Sequence, residues 1–311
     1  MRRPCEMPFE PAYFKLGIEE IENRARKALE LLSPCRLCPR RCGAKRLEGE
    51  TGFCRIGRLA RVASYGPHHG EEHSLSGQRG SGTIFFGGCN LRCSFCQNHD
   101  ISQHPAGREA DAEDLASIML TLQSMGCHNI NLVTPTHVVP QILEALALAM
   151  QKGLSLPLVY NSGGYDSVEE LELLDGIVDI YMPDMKYAVR EVARALSGAE
   201  DYPEMNRAAV KEMHRQVGDL ELDEKGLARR GLLVRHLVLP NNLAGTEEIA
   251  EFLAKKVSPR TFLNVMDQYY PTYKAFDRPE IARRITTAEF EAAVKATLDA
   301  GLTRLYGTHP R

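Results

Sequence analysis

The stretch GTIFFGGCNLRCSFCQNHDIS, residues 82–102, decides both the fold and the chemistry of this chain. It opens as a strand, an apolar run from Thr83 that ends in the glycines Gly87 and Gly88. Three cysteines follow at once, Cys89, Cys93 and Cys96, spaced C-x3-C-x2-C. Four more lie upstream, Cys35, Cys38, Cys42 and Cys54, spaced C-x2-C-x3-C-x11-C. Two cysteine sets in one chain raise the question of whether they do the same work.

The cysteine count argues for metal rather than disulfides. The chain has 311 residues and nine cysteines, an odd number, and seven of the nine fall in these tight groups. The first twenty residues hold no apolar run of signal-peptide length, so the expected setting is the reducing cytoplasm. Cys5 and Cys127 stand apart, and Cys127, between a helix and a strand, reads as a small buried hydrophobe. The most apolar stretch, ILEALALAM (142–150), carries Glu144 and falls far short of the ~20 residues of a membrane span. A net charge of −3 with 25% charged residues gives no general reason to expect a polyanionic partner.

The pattern outward from residue 82 is repetitive in kind. Residues 83–88, 129–135, 156–161, 177–186, 232–240 and 261–270 read as six strands. Between them lie stretches with helical spacing, among them 111–126, 137–153, 189–198, 202–218 and 246–257; 286–301 is the last helix. Strands alternating with helices over short connections predict a parallel sheet with helices outside it. The expectation is an α/β fold, a partial (β/α)6 TIM-like barrel, with chemistry at the C-terminal ends of the strands. An open doubly wound sheet is the alternative. Residues 1–82 read as a separate unit: a short helix over 18–32, the four-cysteine module, and a Gly/Ser-rich ordered-loop connector at 62–82. Residues 83–311 form the core domain. Between Arg24 and Arg61 there are eleven Lys/Arg against three Asp/Glu, which suits a module whose thiolates bring negative charge.

The two sets differ in ligand number. Four thiolates close a tetrahedral zinc site, so Cys35, Cys38, Cys42 and Cys54 read as zinc ligands or, with the same residues, as holders of an accessory iron–sulfur cluster. Three thiolates do not close such a site. An iron–sulfur cube held by three cysteines leaves one iron free for a substrate or cofactor, as a reactive centre requires.

At this point the sequence resembles the radical S-adenosylmethionine (SAM) superfamily. The resemblance rests on C-x3-C-x2-C with Phe95 before the last cysteine, placed after strand one of a six-fold β/α pattern. It implies a 4Fe–4S cluster on Cys89, Cys93 and Cys96 and SAM bound at the free iron. Reductive cleavage would then yield a 5′-deoxyadenosyl radical that abstracts hydrogen. YNSGGYD (160–166) and YMPDMKY (181–187) look like cofactor-contacting motifs of pyruvate formate-lyase activating enzymes, and residues 34 onward resemble an uncharacterised activase-like subgroup. The implied SAM contacts are Phe95, Thr134, His137, Asn161, Ser162, Asp184 and Lys186, with Phe95 reading equally as a core aromatic. This chain departs from the activases in having Asn161 and Ser162 where they carry acid–Thr, and VTPTH (133–137) where many members carry Gly-Gly-Glu-Pro.

The resemblance implies an oxidoreductase that abstracts hydrogen from a protein or peptide, with an electron donor such as flavodoxin or ferredoxin. The same chemistry on a small molecule or RNA is the second reading, and a zinc or redox-sensing scaffold without catalysis is the third. Gln268 and Tyr269, after strand six, are the candidates for the substrate side. Phe53 is the one aromatic between residues 35 and 54, so the module lacks the stacking platform of a nucleic-acid binder. GEEHS (70–74), with His68 and His69, brings acids and imidazoles together; its default reading is a solvated loop, and its alternative is a metal site or part of the active-site lining. His214 and Arg215, in MHRQVGDL (213–220), read equally as substrate-facing residues or as part of a surface helix.

Overall fold

A computed structural model describes residues 9–104 and 106–306. Ten strands form one sheet: β1 (Ala60–His68), β2 (Ser81–Phe86), β3 (Arg108–Ala110), β4 (Ile130–Val133), β5 (Leu158–Ser162), β6 (Ile180–Pro183), β7 (Glu221–Leu222), β8 (Ala228–Leu237), β9 (Phe262–Met266) and β10 (Leu305–Tyr306). The helices are α1 (Gly17–Glu30), α2 (His73–Ser76), α3 (His99–Ser102), α4 (Ala112–Ser124), α5 (Val139–Gln151), α6 (Val168–Glu172), α7 (Arg190–Ser197), α8 (Tyr202–Val217), α9 (Thr246–Phe252) and α10 (Thr287–Asp299).

The strand order β10-β9-β8-β6-β5-β4-β2-β1-β3 settles the architecture. From β2 to β10 every neighbour pair on this path is parallel and the order follows the chain without reversal. A doubly wound sheet would reverse direction at a switch point. Right-handed crossovers in an unreversed order lay all the helices on one face and curl the sheet toward a barrel. β1 and β3 continue the sheet antiparallel beyond β2, and β3 and β10 are its unjoined edges, so the barrel is open. The fold is α/β with a mostly parallel, unclosed sheet.

The central strands are buried along their whole length, as parallel strands covered on both faces must be. Ile84, Leu132, Tyr160 and Val234 sit in one core cluster with α4, α5 and α8 residues. Local sequence starts the helices where they are needed. Asp111 accepts from the Asp114 amide at the head of α4, Ser167 from Glu170 at the head of α6, and Thr286 and Glu289 form a reciprocal capping box on α10.

Two features of the first eighty residues differ from a module joined by a loop. The α1 residues Ile21, Ala25 and Ala28 enter the same core as α5. Segment 62–82, read as an ordered-loop connector, contains most of β1 and all of α2, and β1 pairs with β2 from Val62↔Phe86 to His68↔Ser81. Gly66 and Pro67 hide that strand in the sequence, because its conformation is set by its partner rather than by its own side chains. Cys127 is buried in the core, and Cys5 lies outside the described residues. Among the described residues no helix is long and apolar enough to cross a membrane.

Candidate functional site

The loop after β2 turns on Gly88, which has φ +79; a Cβ there would lie 2.4 Å from the Cys54 carbonyl oxygen. Only glycine permits both that backbone and that approach. The turn delivers Cys89, Cys93 and Cys96 into the wall of one cavity of about 390 Å³ at the C-terminal edge of the sheet. Each sulfur accepts a hydrogen bond: Cys89 from the Leu91 amide at 3.3 Å, Cys93 from the Ser197 hydroxyl at 3.0 Å, and Cys96 from the Ser102 hydroxyl at 3.1 Å. Burial, with the neighbouring Cys93 as a smaller contribution, pushes the Cys89 thiol up to about 12 and raises Cys96 as well. An electropositive centre is what would make thiolates of Cys89 and Cys96.

The strand ends supply the rest of the wall. Thr134 follows β4 at φ +59, a conformation a β-branched residue rarely takes, and its amide donates to Asn161 O at 2.8 Å. Asn161 and Ser162 end β5, and Asp184 and Lys186 follow β6; all of them line the cavity. The Lys186 ammonium sits 2.6 Å from Asp184 Oδ2. Burial alone would lower its pKa, but Asp184 and then Cys93 outweigh that and raise it, so Lys186 is a fixed cation beside the three sulfurs. The Ser162 hydroxyl is committed to Asp166 Oδ2 at 2.7 Å.

The loops that carry these groups are anchored by α8. The Tyr202 oxygen accepts from the Lys186 amide and lies within hydrogen-bond distance of the Gly163 and Asp184 carbonyls, while Asn206 Nδ2 donates to Gly164 and Asp184. Neither residue stands out in the sequence, where 202–218 shows only as a helix.

A second group centres on Arg235. Arg235 on β8 donates through Nε and a terminal nitrogen to both oxygens of Glu72, at 2.8 and 2.6 Å, and also pairs with Glu71. Asn264 on β9 donates to Glu72 at 2.6 Å. Burial opposes ionisation of Glu72, but Arg235 and Asn264 overcome it and hold its carboxyl below the ordinary range. GEEHS thus forms cavity wall in Glu71 and Glu72 rather than a solvated loop, and His68 joins it 3.3 Å from Glu71. The signal available was two adjacent acids in the chain and an arginine, Arg235, inside the apolar run of β8.

Other named residues lie elsewhere. Phe95 is buried edge-on against Tyr187 and Tyr269. Tyr269 is buried with its hydroxyl on Ile281 O at 2.6 Å, whereas Gln268 reaches the cavity wall. His214 pairs with Asp219, and Arg215 with Glu212 and Asp175, on the outer surface of α8.

His137 belongs to a different place. Its Nε2 is 2.9 Å from Gly87 O, and its ring borders a small void of about 10 Å³ walled by Cys35, Cys38, Cys42 and Cys54. A Cβ on Gly52 would lie 3.1 Å from Cys42 Sγ and 3.5 Å from Cys54 Sγ, so the absent side chain leaves room for the sulfurs to converge. Arg46 threads behind, donating to Gly57 O and His137 O, with its guanidinium 3.9 Å from Cys35 Sγ. Every described cysteine is free. Among the described residues no set of three or more Cys, His, Asp or Glu side chains is arranged as a ready ion cage, so each cysteine group shares a wall rather than a finished coordination sphere.

Known proteins share the sequence pattern and the fold of this chain. The profile of the radical SAM superfamily matches residues 83–253, from β2 to α9. An uncharacterised protein of Methanocaldococcus jannaschii, MJ0674, is 34% identical over 90% of this chain and 78% of its own length. A second from the same organism, MJ0808, is 26% identical over 82% and 78%. Among solved structures, a radical SAM methyltransferase from Sphaerobacter thermophilus shares the fold, with a TM-score of 0.51 at 15% identity over 72% of this chain; the chain spans 65% of that protein's length.

Proposed function

This chain belongs to the radical SAM superfamily, and from that premise we propose that it takes hydrogen from a protein or peptide substrate in the manner of a glycyl-radical activase. Membership makes it an enzyme that uses a 4Fe–4S cluster and SAM. The observation that carries the reading is that Cys89, Cys93, Cys96, Asp184, Lys186 and the Glu71–Arg235–Glu72 group share one cavity.

The residues fit the cofactors they would hold. Three sulfurs, each already taking a hydrogen bond, suit a cluster that keeps one iron open. Lys186 is a compact cation suited to the methionine carboxylate, and Asp184 beside it suits the amino group. Thr134 and Asn161, also in the cavity wall, would orient the remainder of the cofactor, while Phe86, Leu91, Ile101 and Val133 would keep water from it. When bound, the cluster and SAM together supply the one-electron cleavage that generates the hydrogen-abstracting species.

The unjoined edges of the sheet support a macromolecular substrate, because an open barrel admits a chain segment from the side. The acidic Glu71–Glu72 wall disfavours RNA. For the upstream set, we propose one zinc ion on Cys35, Cys38, Cys42 and Cys54: the void has room for about one ion-sized sphere.

The substrate class is tested with a deuterated extract of the source cells, separated by size and incubated with reconstituted enzyme, SAM and dithionite. Deuterium in 5′-deoxyadenosine from the large, protease-sensitive fraction is expected. Deuterium from the small-molecule fraction, or from a nuclease-sensitive one, overturns it.

A further inference from the structure

On the outer side of the cysteine loop lies a second concavity of about 310 Å³, lined by Phe53, Leu91, Arg92, Arg194, Lys274 and Arg278 among others, and none of its lining residues is acidic. We propose that this basic face is the docking surface for an acidic electron-transfer protein that reduces the centre held by Cys89, Cys93 and Cys96. The proposal deepens the superfamily reading, since only a centre that must be recharged with single electrons needs such a partner.

Position is the first argument. Leu91 stands in the wall of this concavity and of the main cavity. Ser197 lines the outer concavity while its hydroxyl touches Cys93 Sγ at 3.0 Å. The partition between solvent and the cysteine trio is thus about one residue thick here, and electron transfer weakens steeply with distance.

Charge is the second. The whole chain carries −3, so four cations around one hollow are a local inversion. Arg194 lies 4.0 Å from Glu200 and Arg278 3.6 Å from Glu280, both loose surface pairs. Arg92 sits at φ +54 with its Nε buried and without a hydrogen-bond partner among the described residues. Asp277 is the remaining acid in this turn of chain. Such a face steers an acidic partner and raises its association rate.

The third argument is the apolar centre. Phe53 is 37% exposed with Arg40 over its ring at 4.1 Å and Arg92 at 5.3 Å, and Phe276, between Lys274 and Arg278 in the chain, is 65% exposed. Arginine and aromatic residues around an exposed apolar spot are the composition of a protein interface. The main cavity carries the acidic Glu71–Glu72 wall instead, so electron and substrate would enter from different sides.

The step balances simply. The donor is oxidised by one electron and the iron–sulfur centre is reduced by one, with no bond made or broken and no proton required to cross.

The test uses reconstituted holoenzyme, a purified acidic flavodoxin as probe, and the double variant Arg194→Glu/Lys274→Glu. Binding is followed by flavin fluorescence and cluster bleaching by stopped flow, with reduced flavodoxin and, separately, with dithionite. The variant should bind flavodoxin and be bleached by it at least about tenfold more weakly, while dithionite bleaching stays unchanged; wild-type binding should weaken as salt rises. Equal behaviour of variant and wild type with flavodoxin overturns the proposal. So does equal slowing with both reductants, which would place the effect at the cluster. So does a mixed-sequence oligonucleotide that binds as tightly and displaces flavodoxin. Dithionite-driven 5′-deoxyadenosine in the same wild-type sample tests the superfamily reading separately, because flavodoxin binding does not depend on it.

Discussion

Gly88 and Cys54 touch: a Cβ on Gly88 would fall 2.4 Å from the Cys54 carbonyl oxygen. The last cysteine of the upstream set and the residue before Cys89 are therefore packed backbone to backbone, and the two cysteine groups, different in ligand number, are mechanically one unit. Gly88→Ala should destabilise the chain by about 2–4 kcal/mol, since it combines a positive φ with a backbone clash. Thermal unfolding reads the loss, and iron per chain after reconstitution should fall with it. An unchanged melting temperature would show that the two segments move independently.

The Ser197 hydroxyl reaches Cys93 Sγ at 3.0 Å and the Tyr187 hydroxyl at 2.7 Å. Removing such a supporting hydrogen bond at a metal ligand costs about 10–100-fold in affinity or activity. Ser197→Ala should keep the fold but reduce iron retention or SAM cleavage on that scale, with a shifted cluster potential. A purely packing role would leave the potential where it was.

Lys186 and Asp184 form an ion pair at 2.6 Å in the cavity wall. A charge-assisted hydrogen bond contributes about 1.5–3 kcal/mol, so Lys186→Met should weaken SAM about 10- to 100-fold. Iron content should not change, because the Lys186 ammonium hydrogen-bonds Asp184 rather than a cysteine sulfur. Calorimetric titration of SAM into wild type and variant measures this, and equal affinities would remove Lys186 from the cofactor site.

The Glu72–Arg235 pair sets a pH dependence. The folded state holds Glu72 below its unfolded value, with Arg235 and Asn264 overcoming the cost of burial. Its contribution is therefore complete above about pH 4.5, the unfolded range of a glutamate, and is lost as pH falls through the depressed folded value. Glu72→Gln should lower stability at pH 7 by about 3 kcal/mol, the usual cost of breaking a buried pair. It should also flatten the fall in melting temperature below pH 4.5; an undiminished slope would assign that dependence to other carboxylates.

The parts of the site that were legible in sequence are those that local pattern specifies. Strand, double glycine and C-x3-C-x2-C are contiguous, so their position at a strand end could be read directly, and an Asp-x-Lys on a later strand could be matched to the same rim. What could not be read depends on tertiary packing. Phe95 and Tyr269 turned into an aromatic cluster with Tyr187, because a bulky ring behind a loop packs wherever apolar partners stand. His137 borders the void at the upstream cysteines and is absent from the lining of the rim cavity, with its ring held by Gly87 O. Arg235, Glu72 and Asn264 come from three distant segments, and no spacing rule connects them. Tyr202 and Asn206 act through the backbone carbonyls they hold, and sequence carries no mark of that.

The central claim is that three thiols at the end of β2 hold a cluster that cleaves SAM. Anaerobic reconstitution with iron and sulfide, followed by SAM and dithionite, with chromatography of the nucleosides, tests it most directly. Wild type should form 5′-deoxyadenosine, and Cys93→Ala should bind about four fewer irons per chain and form none. No 5′-deoxyadenosine from wild type, together with equal iron in Cys93→Ala, would contradict the account.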